Sequence, residues 1–178
     1  MDFINNLEQW RLISEFPNYM VSSCGRVMNI RTFRVLKPLN NRVLKPLNNR
    51  GEYLYVYLCS NVKTSHKYIH RLLAEAFILN LTDLPCVDHI DRNKLNNHIS
   101  NLRWCTREEN QHNRSKNKNG TSMYKGVSFH KASNKWQAKI RHNGLQIHLG
   151  LFTDEVEAAQ EYDRKASELF GVFAVLNF

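Results

Sequence analysis

Residues 87 to 113 read VDHIDRNKLNNHISNLRWCTREENQHN, and the rest of the chain is organised around this stretch. Pro85 opens a short apolar run, CVDHI, that predicts a strand. The following DRNKLNNHISN is dense in Asn and Asp and predicts a loop. Leu102 to Thr106 predicts a returning strand, and Thr106 with Glu109 three residues later is a capping box for a helix reaching about Asn113. If strand, loop, strand and helix form one hairpin-plus-helix, Asp88 and Asn110 converge from opposite sides. A carboxylate and an amide oxygen suit a hard divalent cation, Mg2+ or Mn2+. Side chains alternate along a strand, so His89 turns away from such an ion. An imidazole with an unperturbed pKa of about 6.5 can then serve as a general base on water. A solvated loop followed by a capped helix would account for most of the same polar residues, so the motif alone leaves both readings open.

Outward from this centre, size and charge narrow the function. The chain has 178 residues, 25 Lys plus Arg against 16 Asp plus Glu, and a formal net charge of +9. That length admits one domain or a few small modules and excludes a large multi-domain enzyme. The charge favours a polyanion, nucleic acid before an anionic membrane surface. Hydrophobic residues at 42% and aromatics at 11% are enough for packed cores, so the charge does not belong to a disordered basic tail. The opening MDFINNLEQWRL lacks the basic and apolar regions of a signal peptide, and no stretch approaches the roughly 20 apolar residues of a membrane span. An intracellular protein is expected. Cys24, Cys59, Cys86 and Cys105 are too far apart to form a CxxC half-site, which predicts buried, reduced thiols and no structural zinc.

Before the centre, WRLISEF, YMVSS and RVMNI read as strands separated by turns at Pro17-Asn18 and Cys24-Gly25. RVLKPLNN at 34 to 41 is repeated at once at 42 to 49, far below solenoid periods, and reads as a tandem duplication in a connecting loop, with an extra short strand pair as the alternative. YLYVYLC, from Tyr53 to Cys59, is a further extended run. From Tyr68 to Ile78 the period becomes helical, with Ile69, Leu72, Leu73, Ala76 and Phe77 on one face. After the centre, SKNKNGTS from Ser115 to Ser122 reads as a linker. YKGVSFH, KWQAKIRH and QIHLGLF then predict a three-stranded antiparallel sheet with a turn at Asn143-Gly144. From Thr153 to Phe170 an amphipathic helix follows, with Val156, Ala159, Tyr162, Ala166, Leu169 and Phe170 on its stripe. Arg107 to Arg141 holds nine basic residues and two acids, whereas Asp154 to Glu168 holds six acids and two bases. A polyanion would meet the sheet and be repelled by the helix.

DHID, the Asn-rich loop, NLRWCT and EENQHN together resemble the HNH nuclease motif in its phage and viral homing-endonuclease variant. The resemblance implies that Asp88 and Asn110 bind the metal and that His89 activates water. Asn101 would hold the loop and orient His89, and the products would be 5′-phosphate and 3′-hydroxyl ends. Asn110 stands where other variants carry histidine, which moves metal preference towards Mg2+ or Mn2+. Residues 9 to about 38, with Trp10, the run Tyr19 to Ser22, and Gly25-Arg26-Val27, resemble the nuclease-associated modular domain. Ser122 to Phe178 resembles the APETALA-type DNA-binding domain through Tyr124-Lys125-Gly126-Val127, Trp136, Ala138, Ile140, Leu149-Gly150, Phe152, Glu157-Ala158-Ala159, Tyr162-Asp163 and Leu176-Asn177-Phe178. In that family the exposed sheet face lies in the major groove, and the matching positions are Lys125, Ser128, His130, Lys139, Arg141, Gln146 and His148. Several arginines and tryptophans of that family are absent, so its target sequence does not transfer.

These features predict an α+β chain of small modules: N-terminal β hairpins, an HNH ββα-metal centre, and a three-stranded antiparallel sheet packed on one helix. The expected division is 1–50, 51–114, a linker at 115–121, and 122–178. The expected activity is metal-dependent hydrolysis of double-stranded DNA at a recognised site, with no membrane association and no evident obligatory protein partner. A viral, phage or organellar genetic element is the expected setting. A non-cleaving DNA-binding protein of the transcription-factor class is the alternative.

Overall fold

The computed structural model describes residues 7–39, 53–60, 63–114 and 120–178. It divides into two units, residues 1–105 and 106–178. The architecture is mixed α+β, with four small antiparallel sheets.

In the first unit, β1 (Trp10–Ile13), β2 (Phe16–Ser22), β3 (Val27–Asn29) and β4 (Arg34–Val35) form a sheet in chain order. The expected turn at Pro17-Asn18 is not there: β1 and β2 turn at Ser14-Glu15, and β2 runs on through Pro17. Proline is tolerated because Pro17 has no ladder partner on either side, so its missing N–H strands no acceptor. Leu39 forms an antiparallel bridge with Tyr55. The second octapeptide, 42 to 49, lies outside the described residues.

β5 (Tyr55–Cys59) pairs with β6 (Thr64–Tyr68), a strand the sequence reading did not anticipate because TSHKY is polar. α1 (Ile69–Phe77) follows at once, then the hairpin of β7 (Cys86–His89) and β8 (Leu102–Cys105). The face expected for α1 is the one it buries: Ile69, Leu72, Leu73 and Ala74 are inaccessible, and Ala76 and Phe77 pack beside them. Ile13, Phe16, Val21 and Val27 of the N-terminal sheet join Val56, Leu58, Val87 and Leu102 in the same core. The N-terminal hairpins and the β7–β8 hairpin therefore bury apolar surface together, which relieves the small-core problem each would face alone. Tyr19 ties the N-terminal sheet to β5 as well, its hydroxyl accepting from the Cys59 N–H at 3.2 Å. The end of α1 is also satisfied from outside, by Arg11 donating to the Ala76 carbonyl and Trp104 to that of Ile78.

The second unit begins with α2 (Arg107–His112), whose Thr106–Glu109 capping box forms as its sequence implies. β9 (Val127–His130), β10 (Lys135–His142) and β11 (Leu145–Phe152) form an antiparallel sheet with β10 in the centre. Asn143 and Gly144, at φ 50° and 77°, make the tight turn between β10 and β11. α3 (Glu155–Phe170), capped by Asp154, crosses the sheet. Its buried stripe differs from the expected one at its start, since Val156 is exposed and Ala158 is inaccessible. Small residues at 158, 159 and 166 bring the helix axis close to the sheet, and Tyr162 lies between them. That approach requires Gly126: a Cβ there would meet the Tyr162 ring at 2.0 Å, and its φ of +78° also favours glycine. Asp163 closes the module by accepting from the backbone N–H groups of Asn177 and Phe178 and from the Asn177 amide. That amide oxygen in turn takes the Lys125 N–H.

Among the described residues, all four cysteines are free; Cys105 is buried and Cys86 partly so, but Cys24 and Cys59 are exposed, contrary to the expectation of burial. No helix among the described residues is long and apolar enough to cross a membrane.

Candidate functional site

The β7–β8 register sets Asp88 opposite Arg103 and His89 opposite Leu102. Asp88 is 5% exposed, and its Oδ2 accepts from Arg103 Nε at 3.0 Å and Nη2 at 2.8 Å. A carboxylate so withdrawn from water needs a cationic partner, and the strand opposite supplies it. His89 is buried as well, with Nε2 3.2 Å from Asn97 Oδ1. With that oxygen as acceptor, Nε2 carries the hydrogen and Nδ1 the lone pair. Burial pushes the His89 pKa below its ordinary value, outweighing the upward pull of the Asn97 bond and the Asp88 and Asp91 carboxylates. The ring is therefore neutral at neutral pH, the state a base requires.

The loop is held by amide chemistry. Asn101 Oδ1 accepts from the Asp91 N–H, and its amide donates to Asp91 Oδ1 and to the Asn96 carbonyl. Burial works to raise the Asp91 pKa, but bonds from Asn96, the Asn93 backbone and Asn101 hold it below the usual carboxylate value. Asn101 thus bridges Asp91 and Asn96 across the loop, while the residue bonded to the His89 ring is Asn97. Gly25 abuts Asn97 so closely that a Cβ would come within 2.5 Å of its carbonyl oxygen, and the Ile99 N–H donates to the Ser23 carbonyl. The N-terminal sheet thereby supports the loop that orients His89.

His70, at the start of α1, completes the surroundings. Its ring lies 5.3 Å from that of His89 and 4.8 Å from that of Tyr53, and its Nδ1 is buried without a hydrogen-bond partner. Burial, with the nearby charges of His89 and Arg71, pushes its pKa from 6.5 down to about 3. The unfolded chain therefore takes up this proton first as pH falls. The stability tied to neutral His70 is intact above about pH 6.5 and drains away towards about pH 3, at no more than about 1.4 kcal/mol per unit. Urea unfolding at pH 7 and pH 5 should show His70→Phe losing about 2 kcal/mol less than the unsubstituted chain over that interval. Parallel losses would place the titration elsewhere.

Asp88, His89 and Asn101 are thus brought together at the end of the β7–β8 hairpin, whereas Asn110 lies on α2 in the second unit. Asn97 and Arg103 lie within the quoted motif, but neither they nor His70 receives a role from the sequence. Arg103 could have been found by pairing the two strands of the hairpin, because Asp88 and Arg103 are then direct neighbours. Asn97 sits in a run of amides with no distinguishing pattern, and His70 reads as one residue of a helix.

On the second unit, strand alternation gathers most of the expected contact residues. Val127, Trp136, Ala138, Ile140, Ile147 and Leu149 face α3. Ser128, His130, Lys139, Arg141, Gln146 and His148 consequently share the opposite face, with Lys139 paired to His148 and Arg141 to Gln146. Lys125 precedes the strand, and its ammonium donates to the His112 carbonyl at 2.7 Å.

Residues 67–112 match the family model described as HNH endonuclease, and residues 8–59 match that of the NUMOD4 motif. The two matches follow one another along the chain, and the second reaches back far enough to include α1 and His70. An uncharacterized HNH endonuclease of Acanthamoeba polyphaga mimivirus is 39% identical over 112 residues, covering 63% of this chain and 56% of that protein. An AP2-like ethylene-responsive transcription factor of Arabidopsis thaliana is 43% identical over 61 residues, covering 33% of this chain and 11% of that protein. A solved structure described as DNA binding and cleavage by the HNH homing endonuclease I-HmuI has 33% identity and a TM-score of 0.49. It covers 59% of this chain and 56% of that one. The chain spans 23% to 56% of the length of the viral relatives it matches.

Proposed function

We propose that this chain is a metal-dependent DNA endonuclease of the HNH homing type, in which residues 122–178 supply affinity and register. The observation that carries the proposal is the buried His89–Asn97 pair beside the buried Asp88, within the segment that matches the HNH family. His89 is the general base. Its Nδ1 accepts a proton from water, the water oxygen attacks phosphorus, and the bond to the 3′ oxygen breaks; that oxygen takes a proton from solvent, leaving a 5′-phosphate and a 3′-hydroxyl. Asn97 holds the imidazole in the required tautomer, and Asn101 keeps the loop closed around it.

Asp88 and Asn110 would hold the ion. A carboxylate and an amide oxygen, with no thiolate or imidazole, fit Mg2+ or Mn2+ by their hardness. When bound, such an ion supplies positive charge against the phosphate and the leaving oxygen. The sheet face of Ser128, His130, Lys139, Arg141, Gln146 and His148 would lie against double-stranded DNA, with Lys125 at its margin.

Supercoiled plasmid containing a selected target should be nicked or linearised with Mg2+ and left intact in chelator. DNA that is shifted in a gel but never cut would favour the alternative, a non-cleaving DNA-binding protein.

A further inference from the structure

The second unit holds a set of metal-binding side chains apart from Asp88 and His89. Glu108 and His112 stand four residues apart on α2 and so share a face. His142, at the end of β10, reaches the same point. His112 Nε2 lies 3.8 Å and His142 Nδ1 3.9 Å from Glu108 Oε1, and all three donor atoms fall within 4.8 Å of one another. Neither separation is a hydrogen bond. The Nδ1 of His142 is shut off from solvent with no hydrogen-bond partner, an arrangement a buried polar atom rarely keeps unless something else satisfies it.

We propose that Glu108, His112 and His142 form a binding site for a zinc-class divalent transition ion. Donor atoms around four-coordinate zinc, at bonds of about 2.0 to 2.1 Å, lie about 3.3 Å apart. The two separations to Glu108 therefore need to close by only about half an ångström, and Glu108 is the most exposed of the three. The surrounding groups already fix the ligands. The Asn143 N–H donates to Glu108 Oε1 at 2.7 Å, and Phe170 stacks on the His112 ring with centroids 3.6 Å apart. Such outer contacts orient metal ligands in general.

Two imidazoles and one carboxylate select zinc, nickel or cobalt over magnesium, whereas the all-oxygen pair proposed for cleavage selects the reverse. One chain would then carry two sites sorted by ligand hardness. The expectation of no structural zinc rests on cysteine spacing alone, and this set contains no cysteine. Arg107, Arg114, Lys125 and Arg141 line the adjoining cleft of about 540 Å3, and their positive charge works against a cation there. A bound ion would pin α2 to the β10–β11 hairpin.

The test uses the full chain, stripped with chelator and held in excess Mg2+, titrated with Co2+ alone and followed by its visible absorption. One equivalent should bind with the spectrum of nitrogen and oxygen ligation. Glu108→Gln and His142→Gln should each weaken binding 10-fold or more, and Asp88→Asn should leave it within 2-fold. Binding indifferent to both of the first two variants, lost with Asp88→Asn, or marked by sulfur-to-cobalt charge transfer would overturn the proposal. Should either variant fail to fold, Zn2+ added to the unsubstituted chain must move the ring resonances of His112 and His142. Movement of His70 and His89 in their place would equally overturn it.

Discussion

Replacing His89 with alanine is expected to slow single-turnover DNA cleavage about 10²- to 10⁴-fold while leaving DNA affinity unchanged within about 2-fold. The split follows from where the ring sits. His89 is almost wholly buried, is bonded through Nε2 to Asn97, and lies in the first unit, while the basic face expected to carry affinity lies in the second. Its neutral state at neutral pH suits the proposed role of base, in which its loss would remove a proton acceptor and not a phosphate contact. Because truncation leaves a void beside His70 and Tyr53, His89→Gln serves as the shape-preserving companion: it keeps the volume and a bond to Asn97 but cannot take the proton. Both variants should lose cleavage alike, with melting temperatures that differ. Equal losses of cleavage and affinity, tracking the loss of stability, would make His89 a structural residue.

The parts of this arrangement legible in the sequence are those governed by local rules. The capping box at Thr106 and Glu109, the Asn143-Gly144 turn, and the helical stripe of α1 each depend on residues a few positions apart, and each formed as read. What stayed hidden depends on pairing between distant segments. β6 is polar, and its edge position follows only from β5 lying beside it. The Ser14-Glu15 turn carries neither glycine nor proline, so the more obvious Pro17-Asn18 drew the boundary. In the candidate site, the chemistry-bearing Asp88, His89 and Asn101 were visible as a motif, whereas their partners were not. Arg103 reaches Asp88 through strand register, Asn97 reaches His89 through a loop closed by Asn101, and His70 arrives from a helix nineteen positions upstream of His89. Even Gly25, which reads as an ordinary turn glycine, is required by the approach of Asn97.

The double substitution Lys139→Ala with Arg141→Ala is expected to reduce the slope of log affinity against log salt by about 1.8, since each lost phosphate contact removes about 0.9. Both side chains project from β10 on the face away from α3, beside His148 and Gln146 of β11, so they can engage one backbone together. The acidic residues of α3 lie behind the sheet, and their field opposes DNA on that side only. Point substitutions test this face more sharply than removal of residues 122–178. That deletion would also strip α2 of the Lys125 ammonium on the His112 carbonyl and of Phe170 stacked on the His112 ring. A folded control is available in Arg164→Ala, whose guanidinium is paired with Glu161 on α3 and should leave the slope unchanged. Fluorescence anisotropy from low to physiological salt, on a selected target and on random duplex, reads both quantities. An equal fall in slope on the two duplexes identifies phosphate contacts, because charge neutralisation is blind to sequence. A loss confined to the selected target would instead assign this pair of side chains to base edges, and an unchanged slope on both would remove this sheet face from the DNA interface.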